Sequence, residues 1–326
     1  MGINSDAPRI AIAVSRRIDV DSVCVENPLY LPVRCGAVYD TNAQPALQGD
    51  NTGDNISEKR ENYCELTVQY WLRKNVHADY YGLCHYRRYL SFAERHYRAN
   101  DHGLVSRPLL TERECARFGL LDARHMTKEI EKYDLIVPEA APVSRMPLPR
   151  GTADTVRELW SAHEDIFFEK GMVDKLLSTI KRAAPQYLPA AMDYFAGDKH
   201  CGYNCFVMSR QVFERFCSFE FPIVNGLMES LNTREFPRSP AYAGEMLFGV
   251  FVYHMKTREK WRICEKQIVF FEETRAVGRL QTIRCVCRST LKRMVRAAAN
   301  PFFPLGSRRR ACGKRLYQKL LCRGHR

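Results

Sequence analysis

Short apolar runs alternate with amphipathic segments along most of the chain, and this alternation predicts strands separated by helices. Buried strands are predicted where β-branched and aromatic residues cluster, at 9–14, 79–86, 133–138, 203–208 and 267–271. Helical periodicity fills the longer intervals, at 62–76, 152–184, 210–228 and 241–256. Strand and helix order at this spacing favours an α/β fold, with a mostly parallel sheet flanked by helices.

The helix predicted at 62–76 has a recognisable start. Asn62 is placed to cap it, and Glu65 three residues later completes the pattern of a capping box. A polar segment precedes it and contains the cluster GDNTGDNIS at 49–57. Gly, Asn and Asp tolerate turn and left-handed conformations, so this segment is predicted to be a loop.

Composition limits the class of protein. The 326 residues are 45% hydrophobic and 27% charged, which is enough apolar material for a large core and argues against disorder. No apolar run reaches 18 residues, so no transmembrane helix is predicted. The start of the chain lacks the layout of a signal peptide, and the thirteen cysteines are interpreted as reduced thiols of a cytoplasmic protein.

Two groups of possible metal ligands are too irregular for a zinc site. One contains His200, Cys201 and Cys205, and the other is the pair Cys285 and Cys287. Neither has a second pair of ligands at the spacing of a zinc finger. No metal-ligating residues are therefore assigned.

The net charge of +13 is concentrated at one end of the chain. Residues 281–326 contain thirteen Lys and Arg and no Asp or Glu, whereas residues 1–280 carry 37 basic and 37 acidic residues. Apolar positions recur at helical spacing within 283–296 and again within 314–323. The pattern predicts a neutral domain at 1–280 and a basic amphipathic helical tail at 281–326, suited to an anionic membrane surface. A disordered cationic tail and a contact with a partner enzyme are the alternatives.

Several sequence motifs carry a family resemblance. The stretch GDNTGDNISEKRENYCELTVQYWLRKN at 49–75, followed by ADYYGLCHYRRYL at 78–90, closely resembles a bacterial family long labelled only as a domain of unknown function. Shorter elements follow in that family's order, at 133–138, 163–165, 203–208 and 244–245. The resemblance covers roughly residues 9–275 and departs from the family at Met246, where an arginine is expected.

Members of that family occur in capsular, exopolysaccharide and O-antigen gene clusters and are regarded as glycosyltransferases, some linked to galactofuranose transfer. The resemblance implies a fold similar to the Rossmann-like GT-A sugar transferases. It also implies a nucleotide-sugar donor, such as UDP-galactofuranose, and a lipid-linked glycan acceptor. Such an enzyme works in the cytoplasm, peripherally on the inner face of the cell membrane.

The end of the strand at 79–86 carries the candidate donor-binding groups His85, Arg87 and Arg88. Guanidinium groups bind phosphate oxygens bidentately and keep their charge, so these residues are expected to stabilise the leaving diphosphate and to make a divalent metal (Mn²⁺ or Mg²⁺) optional. The alternative is an arginine pair bound to Asp79 or Glu65. Side-chain alternation along a strand argues that only one of the two arginines faces the site.

A metal held by an Asp-x-Asp motif is the common solution in such enzymes, and Asp19-Val20-Asp21 is the one literal copy. It lies just after the first strand, too early in the chain for that role. In the polar loop, Asp54 and Asn55 are candidates for binding the donor nucleoside. The alternative is that Gly53 and Asn55 form a turn and cap the next helix.

Three carboxylates are candidates for the catalytic base that removes the acceptor's proton: Glu245, Asp165 and Asp198. Glu245 is favoured, because partial burial at the start of a helix can raise the pKa of a carboxyl. The alternative is an ordinary first-turn glutamate stabilised by the helix dipole.

Two other classes of protein compete with a glycosyltransferase. A non-catalytic sugar-binding or scaffold protein would not need the carboxylate and the arginines in one pocket. A nucleic-acid-binding protein is disfavoured by the neutral body of the chain and by the lack of a recognisable binding motif. The donor sugar, the acceptor and the linkage are not determined by the sequence.

Overall fold

The structure is a computed structural model that describes residues 7–41, 47–149 and 151–275, with the single positions 287, 291, 294 and 309 beyond them. Almost all of the basic tail at 281–326 therefore lies outside the described residues, and the tail and its boundary near residue 280 stay predictions. Within the described ranges, no helix is both long and apolar enough to cross a membrane.

Eleven strands are present in the described part of the chain. In chain order they are β1 (Ile10–Arg17), β2 (Tyr30–Cys35), β3 (Tyr80–His85), β4 (Arg88–Leu90), β5 (Leu104–Leu109), β6 (Leu135–Pro138), β7 (Ala141–Pro142), β8 (Lys199–His200), β9 (Phe206–Ser209), β10 (Ile263–Lys266) and β11 (Ile268–Glu273).

The α-helices of the same residues are α1 (Arg60–Tyr63), α2 (Leu66–Asn75), α3 (Glu112–Arg117), α4 (Ala123–Ile130), α5 (Val156–Ser161), α6 (Met172–Ala183), α7 (Leu188–Ala196), α8 (Arg210–Leu227) and α9 (Ser239–Thr257).

Nine of these strands form one sheet with β3 near its centre. On one side of β3 lie β1 and β2, both parallel to it, and on the other side β9, β6 and β10. The strand β9 is antiparallel to both β3 and β6. A short hairpin joins β3 to β4, which continues the sheet through β11 to β5. The expected α/β fold is confirmed, but the sheet is mixed rather than mostly parallel, because β9 and β4 run against their neighbours.

Side chains of the central strands alternate between two cores, as the pleat of a strand requires. In β1, Ala11 and Ala13 face the larger core, which is covered by α2 and by α5 to α9. Ile10, Ile12 and Val14 face the smaller core, which is closed by α3 and α4. Helices thus cover both faces of the sheet.

Two predicted helices are interrupted. The helix expected from Asn62 breaks at Cys64, which has a φ of +48°, and α2 begins at Leu66. Asn62 is not its cap, since its amide donates to the carbonyl of Pro237 at 2.8 Å. The long helix expected at 152–184 is divided into α5 and α6, and the loop between them includes Asp165 in a left-handed conformation (φ +60°).

Chain direction brings several segments to one edge of the sheet. β1, β3 and β6 are mutually parallel through their pairings, so their carboxyl ends meet at one edge. The residues that precede β9 reach the same edge because β9 runs the opposite way. Helices α2 and α9 lead into β3 and β10, so their amino ends lie there too. Ligands of open α/β sheets bind at this edge.

Candidate functional site

Two arginines at the turn between β3 and β4 have no carboxylate partner in the part of the chain that the structure describes. The guanidinium carbon of Arg87 is 5.3 Å from the ring centre of Tyr86 and 5.5 Å from that of Phe270. The guanidinium carbon of Arg88 is 5.0 Å from the ring centre of Tyr203. Among the described residues neither arginine forms an ion pair, and the buried Nε of each lacks a hydrogen-bond partner. Aromatic rings hold both cations in place and leave their hydrogen-bonding capacity for an anion.

The alternative partners expected for this pair are engaged elsewhere. Asp79 binds Arg210 at 3.0 Å and accepts the backbone N–H of Arg9. Glu65 accepts a hydrogen bond from the side-chain amide of Asn204 at 3.1 Å. The interpretation of the two arginines as half of a surface ion pair is therefore wrong.

His85, at the end of β3, lies within this group of arginines. Burial, followed by the charges of Arg88, Arg87, Arg17 and Arg238, lowers the pKa of the His85 ring well below its ordinary value. Its Nδ1 accepts the backbone N–H of Arg87 at 3.4 Å. The neutral ring therefore carries its proton on Nε2, which can donate one hydrogen bond to an anion.

Glu245, in the second turn of α9, places a carboxylate beside this group. Its Oε1 accepts the backbone N–H of Tyr203 at 3.0 Å and lies 3.8 Å from Nε2 of His200. Its Oε2 accepts no hydrogen bond from any residue that the structure describes, and the side chain is 19% exposed. The charge of Arg88 acts on both Glu245 and His85. Tyr203 links the two groups, because its ring packs against Arg88 and its backbone N–H binds Glu245. Arg87 packs instead on Tyr86 and Phe270, so Arg88 is the arginine next to the carboxylate.

The electrostatics of Glu245 differ from the sequence-based expectation. Burial alone would raise the pKa of the carboxyl, but the nearby His200 ring, the N–H of Tyr203 and the charge of Arg88 together lower it. The expected raised pKa is therefore wrong. The carboxyl group is ionised at neutral pH and able to accept a proton.

The backbone that holds Glu245 has an unusual conformation. Tyr203 and Asn204 have φ values of +75° and +42°, a region that residues other than glycine rarely adopt and that costs of order 1–3 kcal/mol each. A Cβ on the preceding Gly202 would lie 2.3 Å from Nε2 of His200 and 2.7 Å from Oε1 of Glu245. A larger residue at position 202 would have to displace the side chains of His200 and Glu245, and backbone strain like that of Tyr203 and Asn204 concentrates at functional sites.

A cavity of about 210 Å³ opens beside the Glu245 carboxylate. Its floor and walls combine aromatic rings with a few polar groups, a composition typical of small-molecule sites. The lining includes Trp160, His163, Phe167, His200, Tyr242 and Glu245.

The structure places Asp54 and Asn55 away from this site. Asp54 accepts a hydrogen bond from Tyr70 at 3.0 Å and pairs with Lys74, near the carboxyl end of α2. Asn55 forms a local turn with Gly53. α2 begins at the functional edge and runs away from it for ten residues, or about 15 Å at 1.5 Å per residue. Asn55 therefore matches the alternative of a local turn with Gly53, and Asp54 is held by α2 rather than placed beside the arginines.

Asp165 and Asp198 also lie apart from the Glu245 carboxylate. The side chain of Asp165 is 60% exposed and pairs with Lys170 at 3.4 Å. Asp198 is exposed and lines a different cavity, of about 440 Å³, together with Lys199 and Lys256. Of the three candidate bases, only Glu245 lies near the arginines.

The aspartate pair at 19–21 does not fit a divalent metal. Arg17 and Arg60 both bind the carboxylate of Asp19. The hydrogen bond from Arg17 lowers the pKa of Asp19 to about 2, although burial opposes this. A cation would have to displace two guanidinium groups. In the described ranges, no group of three or more His, Cys, Asp or Glu side chains is arranged to hold a metal.

Sequence reasoning missed several residues of the site. His200 was considered only as part of an irregular zinc group, and its contact with Glu245 depends on the pairing of β7 with β8. Trp160 and Tyr242 were not singled out from the sequence. The one available signal was Gly202, directly before a predicted buried strand, where glycine often marks a close approach of chain segments.

The mixed nine-stranded sheet, with helices on both faces and polar groups at its carboxyl edge, is an α/β GT-A-like fold. The chain belongs to the family described as domain of unknown function DUF4422, which matches residues 9–257. No curated protein matches the chain.

One solved structure has a similar fold, that of the WbbM bifunctional glycosyltransferase in its apo form. The TM-score is 0.70 and the sequence identity 24% over 83% of this chain. The matched region is 47% of that structure's chain, so this protein spans about half the length of its structural relative. At this identity the likeness shows a shared fold.

Proposed function

We propose that this protein is a nucleotide-sugar-dependent glycosyltransferase. It moves a hexosyl group from a UDP-sugar to a lipid-linked acceptor of cell-surface polysaccharide synthesis. One observation carries the proposal: the guanidinium group of Arg88, which forms no ion pair with any described residue, packs on the ring of Tyr203, whose backbone N–H holds the carboxylate of Glu245. The similar fold of WbbM, a bifunctional glycosyltransferase, agrees with this chemistry.

The arginines stabilise the leaving group of the reaction, the nucleoside diphosphate. When the bond between the anomeric carbon and the diphosphate oxygen breaks, negative charge grows on the diphosphate. Arg87 and Arg88 supply fixed positive charge, and Nε2–H of His85 supplies a hydrogen bond. Preorganised groups of this kind stabilise the charge that develops in a transition state. A divalent metal is optional in this arrangement.

Glu245 removes the proton of the acceptor hydroxyl. As the acceptor hydroxyl oxygen bonds to the anomeric carbon, its proton passes to Oε2 of Glu245. The backbone N–H of Tyr203 fixes the other oxygen, Oε1, so the carboxylate is held in one orientation. A positioned general base typically contributes about 10²- to 10⁴-fold to the rate.

The rival interpretation, a scaffold without catalysis, does not require the Glu245 carboxylate and the arginines to lie together. It gives no reason for Glu245 to bind the backbone of Tyr203, the residue whose ring packs against Arg88. The grouping of these residues favours an enzyme. A nucleic-acid-binding role has no support from the described residues.

The finer parts of the proposal come from the sequence. Galactofuranose as the donor sugar and a lipid-linked acceptor follow from the family resemblance. Location at the inner face of the cell membrane follows from the thirteen basic residues at 281–326. Each Lys or Arg near an anionic surface contributes about 1 kcal/mol to binding.

Calorimetric titration with UDP tests the donor site. Wild type, Arg88→Ala and the surface variant Arg157→Ala are compared with and without Mn²⁺. Arg157 is an exposed arginine that pairs with Asp174. We expect wild type and Arg157→Ala to bind UDP without metal. Arg88→Ala should bind about tenfold to a hundredfold more weakly, because it loses a charge-assisted contact.

Two outcomes contradict the proposal in different ways. If UDP does not bind to wild type in either condition, the donor class is wrong. If Arg88→Ala binds UDP as tightly as Arg157→Ala, the arginine does not hold the diphosphate.

A further inference from the structure

Three aromatic rings stack in series at the mouth of the cavity beside Glu245. The ring of Phe167 is parallel to that of His163, with centres 5.3 Å apart and planes inclined by 14°. On its other side Phe167 stacks on Tyr242, at 5.2 Å and 25°. Phe167 is nevertheless 40% exposed. A large apolar ring that is held in place and left open to solvent indicates a surface for a ligand.

Trp160 forms a wall of the same cavity and has an unused hydrogen-bond donor. The residue is only 7% exposed and its ring stands edge-on to that of His200, with centres 5.5 Å apart. Its indole Nε1 is buried and has no partner among the residues described. A buried donor without a partner costs about 1–3 kcal/mol. A ligand atom in the cavity that accepts this hydrogen bond would remove the penalty.

His163 contributes an acceptor. Its Nδ1 lies 2.8 Å from the carbonyl oxygen of Leu159, and a carbonyl only accepts, so Nδ1 carries the proton. Burial lowers the pKa of His163, which keeps the ring neutral and leaves a lone pair on Nε2. The cavity therefore offers an N–H donor, a ring acceptor and the carboxylate of Glu245.

We propose that this cavity binds the terminal sugar ring of the acceptor, an inference that rests on the proposed function. A sugar ring has apolar C–H faces that pack on aromatic rings, and hydroxyls that both donate and accept. The volume of about 210 Å³ is below the roughly 300–1,000 Å³ of sites for drug-sized ligands. It suits one ring rather than an extended glycan.

Tyr203 explains why the bound ring belongs to the acceptor rather than to the donor. Its ring lies beneath Arg88 and is edge-on to His200, with centres 6.4 Å apart. The residue thus lies between the arginines and the cavity. With the diphosphate on the arginines, a sugar in the cavity presents its hydroxyl to Oε2 of Glu245 from the opposite side of the site.

Saturation-transfer NMR with methyl pyranosides of galactose, glucose, mannose and N-acetylglucosamine, each in the presence of UDP, tests this site. The variants are Trp160→Phe, which keeps a ring but removes the N–H, and Phe167→Ala, with Ile166→Ala as the matched control. Ile166 is the adjacent exposed apolar residue (46%). For the glycoside that binds best, we expect Trp160→Phe and Phe167→Ala to bind about tenfold more weakly than wild type. The control, Ile166→Ala, should bind as tightly as wild type.

Each other result has a defined meaning. If no glycoside binds to wild type, or if Ile166→Ala weakens binding as much as Phe167→Ala, the acceptor site is wrong. If UDP-galactose binds more tightly than UDP and Phe167→Ala removes that difference, the cavity holds the donor's sugar. In all these cases, binding of UDP to wild type leaves the proposed function standing, whereas a wild type that does not bind UDP contradicts the proposed donor class.

Discussion

Replacing Gly202 with alanine tests the geometry of the site with one added methyl group. The new Cβ would lie 2.3 Å from Nε2 of His200 and 2.7 Å from Oε1 of Glu245. Since ordinary contacts begin near 3.4 Å, the two side chains must move away by amounts on the order of 1 Å. A misplacement of about 1 Å in a catalytic group can cost about 10²-fold in rate. Overpacking of this kind costs typically about 1–3 kcal/mol of stability.

The assay is UDP release from UDP-galactose or UDP-galactofuranose, whichever the wild type turns over. We expect Gly202→Ala to lower kcat about 10²-fold, approaching the loss in Glu245→Gln, which removes the base. The dissociation constant for UDP should stay within about twofold, because the arginines lie on the other side of Tyr203. A folded protein should remain, with a melting temperature lower by a few degrees.

Gly226→Ala is the matched control. Gly226 lies near the end of α8, and the nearest atom to its added Cβ would be 3.4 Å away. Alanine in a helix is about 0.5–1 kcal/mol better than glycine, so this variant should be at least as stable as wild type and fully active. The reasoning fails if Gly202→Ala keeps wild-type kcat, or if it loses UDP binding in parallel with turnover.

Two further predictions concern stability. Glu220 is fully buried, and burial raises its pKa well above the ordinary value. The folded state therefore retains a proton that the unfolded chain releases above about pH 4.5, which costs stability at neutral pH. Because glutamine carries no such proton, Glu220→Gln should raise the melting temperature at pH 7, and calorimetry should show that this gain vanishes near pH 4. A difference in melting temperature that does not change with pH would contradict this prediction. Asp50 accepts hydrogen bonds from Gly36, Ala37, Ser57 and Thr67. Urea unfolding of Asp50→Ala should therefore show a free energy of unfolding lower by about 3 kcal/mol or more, whereas Asp54→Ala in the same loop should change it little because the contacts of Asp54 are exposed. Equal losses in the two variants would refute the structural role of Asp50.

The sequence predicted the buried elements better than the edge strands. β1, β3, β6, α8 and α9 were each located within a few residues, because a short apolar run marks each of these strands and helical periodicity marks each of these helices. β2 and β5 were missed, and each contains a proline, at Pro32 and Pro108. Proline is tolerated on edge strands because it gives up one hydrogen bond of the ladder. The local sequence of β2 and β5 is therefore typical of a loop. Each segment becomes a strand by pairing with a neighbour, β2 with β1 and β5 with β11.

The candidate site was predicted unevenly for a similar reason. Arg87, Arg88 and Glu245 were singled out because their residue types suit phosphate binding and proton transfer. The role of Gly202 and the left-handed conformation of Tyr203 could not be inferred, since they depend on segments far apart in the chain that meet only after folding. The loop at 49–57 misled the prediction for the opposite reason. Its polar residues bind the protein's own backbone and helix α2 rather than a ligand.

The position of β11 has a consequence for the order in which the protein folds as it is synthesised. β11, at residues 268–273, lies between β4 and β5, and among the described strands β5 pairs only with it. A nascent chain exposes β5 long before this partner leaves the ribosome, at roughly 5–20 residues per second. During that interval the unpaired strand is open to other chains. A fragment that ends at residue 257, where the family match stops, would make that exposure permanent.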